Sequence, residues 1–162
     1  MRIWRADEQD LASVAQIANV SWRMTYRDLL DADTIERWLA AAYSPSALEQ
    51  RWEDHPIFLI EIDGRPAAFT DVYVEGSTIV VAAMCTHPEY RRHGAATALL
   101  EKIRSLAPSF PVTVDLILGN QSGEGFVEHL GFSPGETMEV HLYGEPFLER
   151  RWWMESALMR SS

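Results

Sequence analysis

The stretch STIVVAAMCTHPEYRRHGAATALLEKI (77–103) joins a strand-like run to a helix-like one through a turn that holds Arg91, Arg92, His93, Gly94, Ala95 and Ala96. A strand that passes through a glycine turn into a helix leaves the first backbone N–H groups of that helix unpaired, with the positive end of the helix dipole behind them. Such a helix start attracts anions. Gly94 permits backbone geometry that other residues resist, and Ala95 and Ala96 keep side chains out of the approach. A diphosphate can therefore lie on the amides of residues 92–97. Arg91 and Arg92 add charge, and arginine can grip a phosphate through two parallel hydrogen bonds. Read by itself, the same turn is more readily a plain helix start with solvated arginines and small residues for packing, since short glycine motifs recur by chance.

Upstream of the stretch, PIFLIEIDG (56–64) and PAAFTDVYVEG (66–76) are β-rich, with turn signals at Asp63-Gly64 and Glu75-Gly76. Together with 77–86 they read as an antiparallel meander. Further upstream, MRIW (1–4) reads as a short strand. A helix follows from about Asp7 with Leu11, Val14, Ala15, Ala18 and Trp22 on one face, and DADTIERWLAAAY (31–43) and PSALEQRWED (45–54) read as two more helices. Downstream, ATALLEKIRSLA (96–107) is a helix closed off by Pro108, VTVDLILG (112–119) is a strand, and GEGFVEHLGF (123–132) is a short helix stopped by Gly131. TMEVHLYG (137–144) and ERRWWMESAL (149–158) read as two final strands. The expectation is one α/β domain over residues 1–162, built on a single mixed, mostly antiparallel sheet of about seven strands with helices on both faces.

Composition bounds the function. The 162 residues are 47% hydrophobic and 23% charged, the balance of a soluble globular chain, and no segment approaches the roughly 18 uninterrupted apolar residues of a membrane span. MRIWRADEQD has no apolar signal core, and the single cysteine, Cys85, has no partner for a disulfide; both point to the cytoplasm. A formal charge of -10 argues against a nucleic-acid partner and suits a cationic or neutral one.

HPEYRRHGAATALL (87–100) resembles the acyl-CoA loop of the GNAT (GCN5-related N-acetyltransferase) superfamily, whose pattern is Gln/Arg-x-x-Gly-x-Gly/Ala; Arg91, Gly94 and Ala96 stand at its defining positions. NQSGEGFVEHLGF (120–132) is similar to that superfamily's later block, and SWRMTYRDLL (21–30) resembles the first-helix loop that lines the acceptor side. The resemblance implies transfer of an acetyl group from acetyl-CoA to an amine on a small molecule or peptide, without a metal. It also implies a sheet splayed between its fourth and fifth strands. The amides of Arg92, His93, Gly94, Ala95, Ala96 and Thr97 would hold the pyrophosphate with Arg91 beside them. Met84, Cys85 and Thr86 would pair with the pantetheine arm as an added strand would. Asn120 would hydrogen-bond that arm and Phe126 would pack on it. Trp22 and Tyr26 come where the acceptor wall lies, whereas Trp4, Trp38 and Trp52 are expected in the core. Trp152 and Trp153 alternate faces on a late strand, which in this superfamily often helps form a dimer; an exposed indole there could equally line the acceptor cleft.

The chain departs from the superfamily pattern where protons are handled. Val127 stands where many members have a tyrosine that acts as general acid, and Val80 stands where one branch has a glutamate base. An acceptor arrives as an ammonium ion and must lose a proton before it attacks. Asp71 and Asp115 are the two candidates. A two-residue turn at Glu75-Gly76 would set Asp71 opposite Val80, and Asp115 lies five residues before Asn120, where another branch carries a glutamate. Each is also readable as a hydrogen-bonded structural acid. The rival function is a non-catalytic acyl-CoA-binding sensor or partner-binding module, suggested by Val127 and Val80.

Overall fold

The computed structural model describes residues 1–160. Helix α1 (Leu11–Tyr26) buries Leu11, Val14, Ile17, Ala18 and Ser21, the three-and-four spacing of a single stripe. Its start is tied to strand β1 (Arg2–Arg5) by one carboxylate: Asp10 Oδ2 accepts both the Asp7 N–H (2.8 Å) and the Trp4 indole N–H (3.0 Å). Helices α2 (Ala32–Ala42) and α3 (Pro45–Asp54) are separated by Ser44, whose hydroxyl accepts the Ala47 N–H at 3.3 Å. Pro45 takes the first helical position, where no N–H is needed.

Strands β2 (Ile57–Ile62), β3 (Arg65–Glu75) and β4 (Thr78–Thr86) form the expected meander. The expected register of its second hairpin is corrected. The loop is Gly76-Ser77, with Gly76 at φ 61 and Glu75 paired to Thr78, so it sits one residue further along than the Glu-Gly signal suggested. That shift alone moves the partner of Asp71 from Val80 to Ala82. A β-bulge between Asp71 and Val72 then leaves Ala82 as the extra residue, so Asp71 faces Ala83, and Tyr73 is the residue opposite Val80.

After β4 come α4 (Ala95–Leu106), β5 (Val112–Ile117), α5 (Gln121–His129), β6 (Ser133–Leu142), β7 (Glu145–Met154) and α6 (Ala157–Arg160). The strand order is β1-β2-β3-β4-β5-β7-β6, antiparallel throughout except for the parallel β4–β5 pair. The last two strands lie further toward each other than the sequence suggests. Both residues of the tight turn Tyr143-Gly144 have positive φ (50 and 83), and the segment read as a strand to residue 158 leaves the sheet after Met154.

Two apolar layers flank the sheet. Val14, Ile17, Leu39, Leu48, Phe69 and Cys85 pack on the α1–α3 side, and Leu99, Leu100, Ile103, Val112, Phe132 and Trp152 on the α4–α5 side. Strands β4 and β5 pair only between Ile79–Val81 and Val112–Val114. Beyond those residues they diverge, and both layers open onto the gap. Among the described residues no helix is long and apolar enough to cross a membrane.

Candidate active site

The turn after β4 is shaped by two left-handed residues, Arg92 (φ 66) and Gly94 (φ 79). Gly94 is the N-cap of α4 and offers no side-chain cap; the Ala98 N–H reaches the Gly94 carbonyl at 3.0 Å. The N–H groups of Ala95, Ala96 and Thr97 therefore have no partner of the helical kind. Backbone that mixes left- and right-handed residues in this way gathers N–H groups into an anion-binding concavity. A Cβ built on Gly94 meets nothing within 4 Å, so the space above the concavity is open. Donor chemistry, open space and dipole direction all fit a diphosphate. The Arg91 guanidinium donates to Thr25 Oγ1 (3.0 Å) and pins the turn to α1, while the His93 Nδ1–H donates to the Arg91 carbonyl (2.9 Å).

From this turn a cleft of about 1210 Å³ passes through the β4–β5 gap to the α1–α3 side of the sheet. Every site residue expected from the sequence lines it apart from His93. Met84, Cys85 and Thr86 pair with Thr70, Phe69 and Ala68 on one edge and face no strand on the other. Burial pushes the Cys85 thiol up to about 12, which favours the thiol over the nucleophilic thiolate. Asn120 caps α5, its Oδ1 accepting the Gly123 N–H at 3.0 Å, and its Nδ2 faces the Tyr26 phenol at 3.5 Å. A Cβ at Gly123 would come within 2.7 Å of Asn120 Nδ2, so only glycine lets the asparagine sit there. Phe126 of α5 lines the cleft, and Val127 beside it is buried in the α4–α5 layer.

On the far side, Trp22 packs on Tyr26 (centroids 4.4 Å) and on Trp38 (5.6 Å). Trp38, expected in the core, thus lines the cleft. Burial, with help from Cys85, holds the Tyr26 phenol protonated well above its ordinary range. Trp152 is buried, while Trp153 is exposed and also lines the cleft.

The two aspartates stand on opposite flanks of the gap, and both are occupied. Asp71 is fully buried; Oδ2 accepts from the Arg51 Nε at 2.9 Å and is ion-paired with Nη2 at 2.9 Å, and Oδ1 lies 3.0 Å from His55 Nδ1. Asp115 takes a two-bond fork from Arg151, 2.8 Å and 3.0 Å. Among the lining residues that no motif in the sequence marks are His55, Tyr73 and Glu149. His55 is a single residue between the end of α3 and Pro56, Tyr73 comes opposite Val80 only through the displaced register, and Glu149 is one of several charges on a strand.

Glu149 yields a pH-dependent expectation. Burial, followed by repulsion from Asp115, raises its pKa above 4.5 despite Arg151. A carboxyl raised by folding contributes stability that is present below the unfolded pKa and lost as pH rises through the folded one. Glu149→Gln should therefore stabilise the protein at pH 7, by less than about 1 kcal/mol for a partly solvated group. The gain should vanish below about pH 4. Thermal melts of both proteins across pH check this; a gain that persists in acid would contradict it.

The fold agrees with comparisons to known proteins. The family model described as "Acetyltransferase (GNAT) family" matches residues 17–132. The chain belongs to that family and is an enzyme of the N-acetyltransferase class. Among solved structures, the PaiA N-acetyltransferase of Thermoplasma acidophilum in complex with coenzyme A superposes with a TM-score of 0.81 at 18% identity, over 92% of this chain and 96% of that one. A GCN5-related N-acetyltransferase from Rhodopseudomonas palustris gives 0.80 at 20% identity, over 95% and 94%. The ribosomal-protein-S18-alanine N-acetyltransferase of Escherichia coli gives 0.73 at 15% identity, over 96% and 94%. None of the curated proteins matches the chain. Among the described residues no group of three or more His, Cys, Asp or Glu side chains could hold a metal ion.

Proposed function

We propose that the protein transfers the acetyl group of acetyl-CoA to a primary amine of a small molecule or peptide, by direct attack, in the cytoplasm. The observation that carries this reading is the continuity of one cleft, from the unpaired α4 amides through the β4–β5 gap to a chamber of aromatic rings and carboxylates. In this reading the amides of residues 92–97 and Arg91 hold the pyrophosphate, the free edge of Met84–Thr86 pairs with the pantetheine arm, and Asn120 and Phe126 hold its flank. The amine enters between Trp22, Tyr26 and the carboxylates, where ring faces and negative charge both favour a cation. Its nitrogen attacks the thioester carbonyl carbon. One proton of the ammonium passes to a base on the Asp71 flank before attack; the C–N bond forms, the C–S bond breaks, CoA leaves as a thiolate, and the second proton, lost from the nitrogen as the amide forms, passes to that thiolate directly or through water. Loss of a tyrosine acid at Val127 is tolerable because the thiolate is a fairly good leaving group. The same reading carries a homodimer through β6 and β7, supported by the exposed Leu148.

Asp115 has both oxygens engaged by Arg151, so we assign it to attracting the cationic acceptor. Asp115→Asn should raise KM for cationic amines several-fold and leave kcat and CoA affinity nearly unchanged. A fall in kcat that recovers at high pH would instead make Asp115 the base.

Thiol release from acetyl-CoA over a panel of amines tests the function. Release that requires an amine and yields the acetylated product is expected. Tight CoA binding with no release on any amine would favour the non-catalytic module.

A further inference from the structure

We infer that His55, oriented by the buried Asp71, is the general base that takes the proton from the incoming ammonium; this rests on the transfer reading above. His55 follows α3 directly, and its backbone N–H donates to the Arg51 carbonyl at 2.8 Å, so the main chain there is fixed without help from the side chain. The ring is fixed separately. Nδ1 lies 3.0 Å from Asp71 Oδ1, and the ring stacks on Tyr73 with centroids 5.2 Å apart and planes 28° apart.

A carboxylate oxygen can only accept, so Nδ1 carries the proton, and the lone pair of the neutral imidazole is on Nε2. Among the described residues Nε2 has no partner, and His55 lines the cleft with its side chain 28% exposed. Asp71 itself is badly placed to act directly. It has no exposed surface, and both of its oxygens are occupied by Arg51 and His55.

The titratable and charged groups around the ring are Asp71 and Tyr73 on β3 and Arg51 on α3, with the Tyr43 phenol beneath the Arg51 guanidinium (4.7 Å). Arg51 already balances the charge of Asp71, so the carboxylate can hold a neutral imidazole in one tautomer and steady the imidazolium formed once the proton arrives. Asp71 faces Ala83, the residue before the unpaired Met84–Thr86 edge, which sets this pair one strand from the gap. Asp71 is thus a positioning residue and His55 the proton acceptor, directly or through one water. In each turnover one proton moves from the ammonium to Nε2 and then to solvent, and the second, lost from the nitrogen as the amide forms, goes to the departing CoA thiolate.

The test is the pH dependence of acetyl-CoA turnover with the best amine, for the unaltered protein and for His55→Gln and His55→Ala. His55→Gln should lower kcat at neutral pH by about 10²-fold to about 10⁴-fold with CoA affinity unchanged. It should also lose the acid limb of the profile and recover as pH nears the pKa of the amine. Added imidazole should restore part of the activity of His55→Ala, which keeps the test open if the glutamine variant fails to fold. Variants that retain the full rate and profile, or that change KM alone, overturn the assignment while leaving the transfer reading intact. Absence of turnover in the unaltered protein overturns both.

Discussion

Gly94→Glu should abolish measurable CoA binding, a loss of at least about 100-fold, while Gly94→Ala keeps it. The pair of variants separates two effects that one alone would confuse. Gly94 has φ 79, so any side chain there carries the strain of left-handed backbone, about 1–2 kcal/mol. Both variants pay that in stability. Only the glutamate projects bulk and negative charge over the amides of Ala95, Ala96 and Thr97, into space where a bare Cβ meets nothing within 4 Å. Calorimetric titration with CoA, alongside thermal melts, resolves the two. Equal affinity in both folded variants would mean that the α4 amides do not hold the pyrophosphate.

Arg51→Met should cost about 3–5 kcal/mol of stability, the usual consequence of stripping one partner from a buried ion pair. Arg51 donates its Nε to Asp71 and pairs ionically with it through Nη2, its Nη1 donates to the Ala42 carbonyl at 2.7 Å, and its guanidinium lies 4.7 Å from the Tyr43 ring centre. The pair is 22% and 0% exposed, so solvent cannot replace the lost donor around Asp71. Replacing both partners, as Arg51→Met with Asp71→Leu, should recover most of the loss, because no charge is then left buried. Urea unfolding of the single and double variants measures it. A double variant as unstable as the single one would show that the cost lies in packing, through the stem of Arg51 and the Tyr43 ring, more than in the uncompensated carboxylate.

The strand–turn–helix unit at residues 77–103 was legible because its logic is local: a β-rich run, a left-handed glycine and an apolar helix follow one another within a single stretch. The short helix capped by Asn120 was legible for the same reason. What escaped depends on residues meeting across the sheet. The partner of Asp71 turns on a loop displaced by one residue and on a bulge at Ala82, and neither leaves a clear mark in the sequence. His55 acquires its significance only when β3 brings Asp71 and Tyr73 beneath it. Trp38 has the helical spacing of a core residue, yet α2 turns it toward Trp22 at the mouth of the cleft. Glu149 is conspicuous only because β7 pairs with β5, which sets it beside Asp115.

A crystal structure of the protein with acetyl-CoA bound would show whether one cleft carries the cofactor from the α4 amides to the acceptor chamber. The pyrophosphate should lie on the amides of residues 92–97, the pantetheine arm in the β4–β5 gap along Met84–Thr86, and the acetyl group should face the chamber that holds His55, Tyr26 and Trp22. An arm that avoids the gap, or an acetyl group directed away from that chamber, would contradict this arrangement.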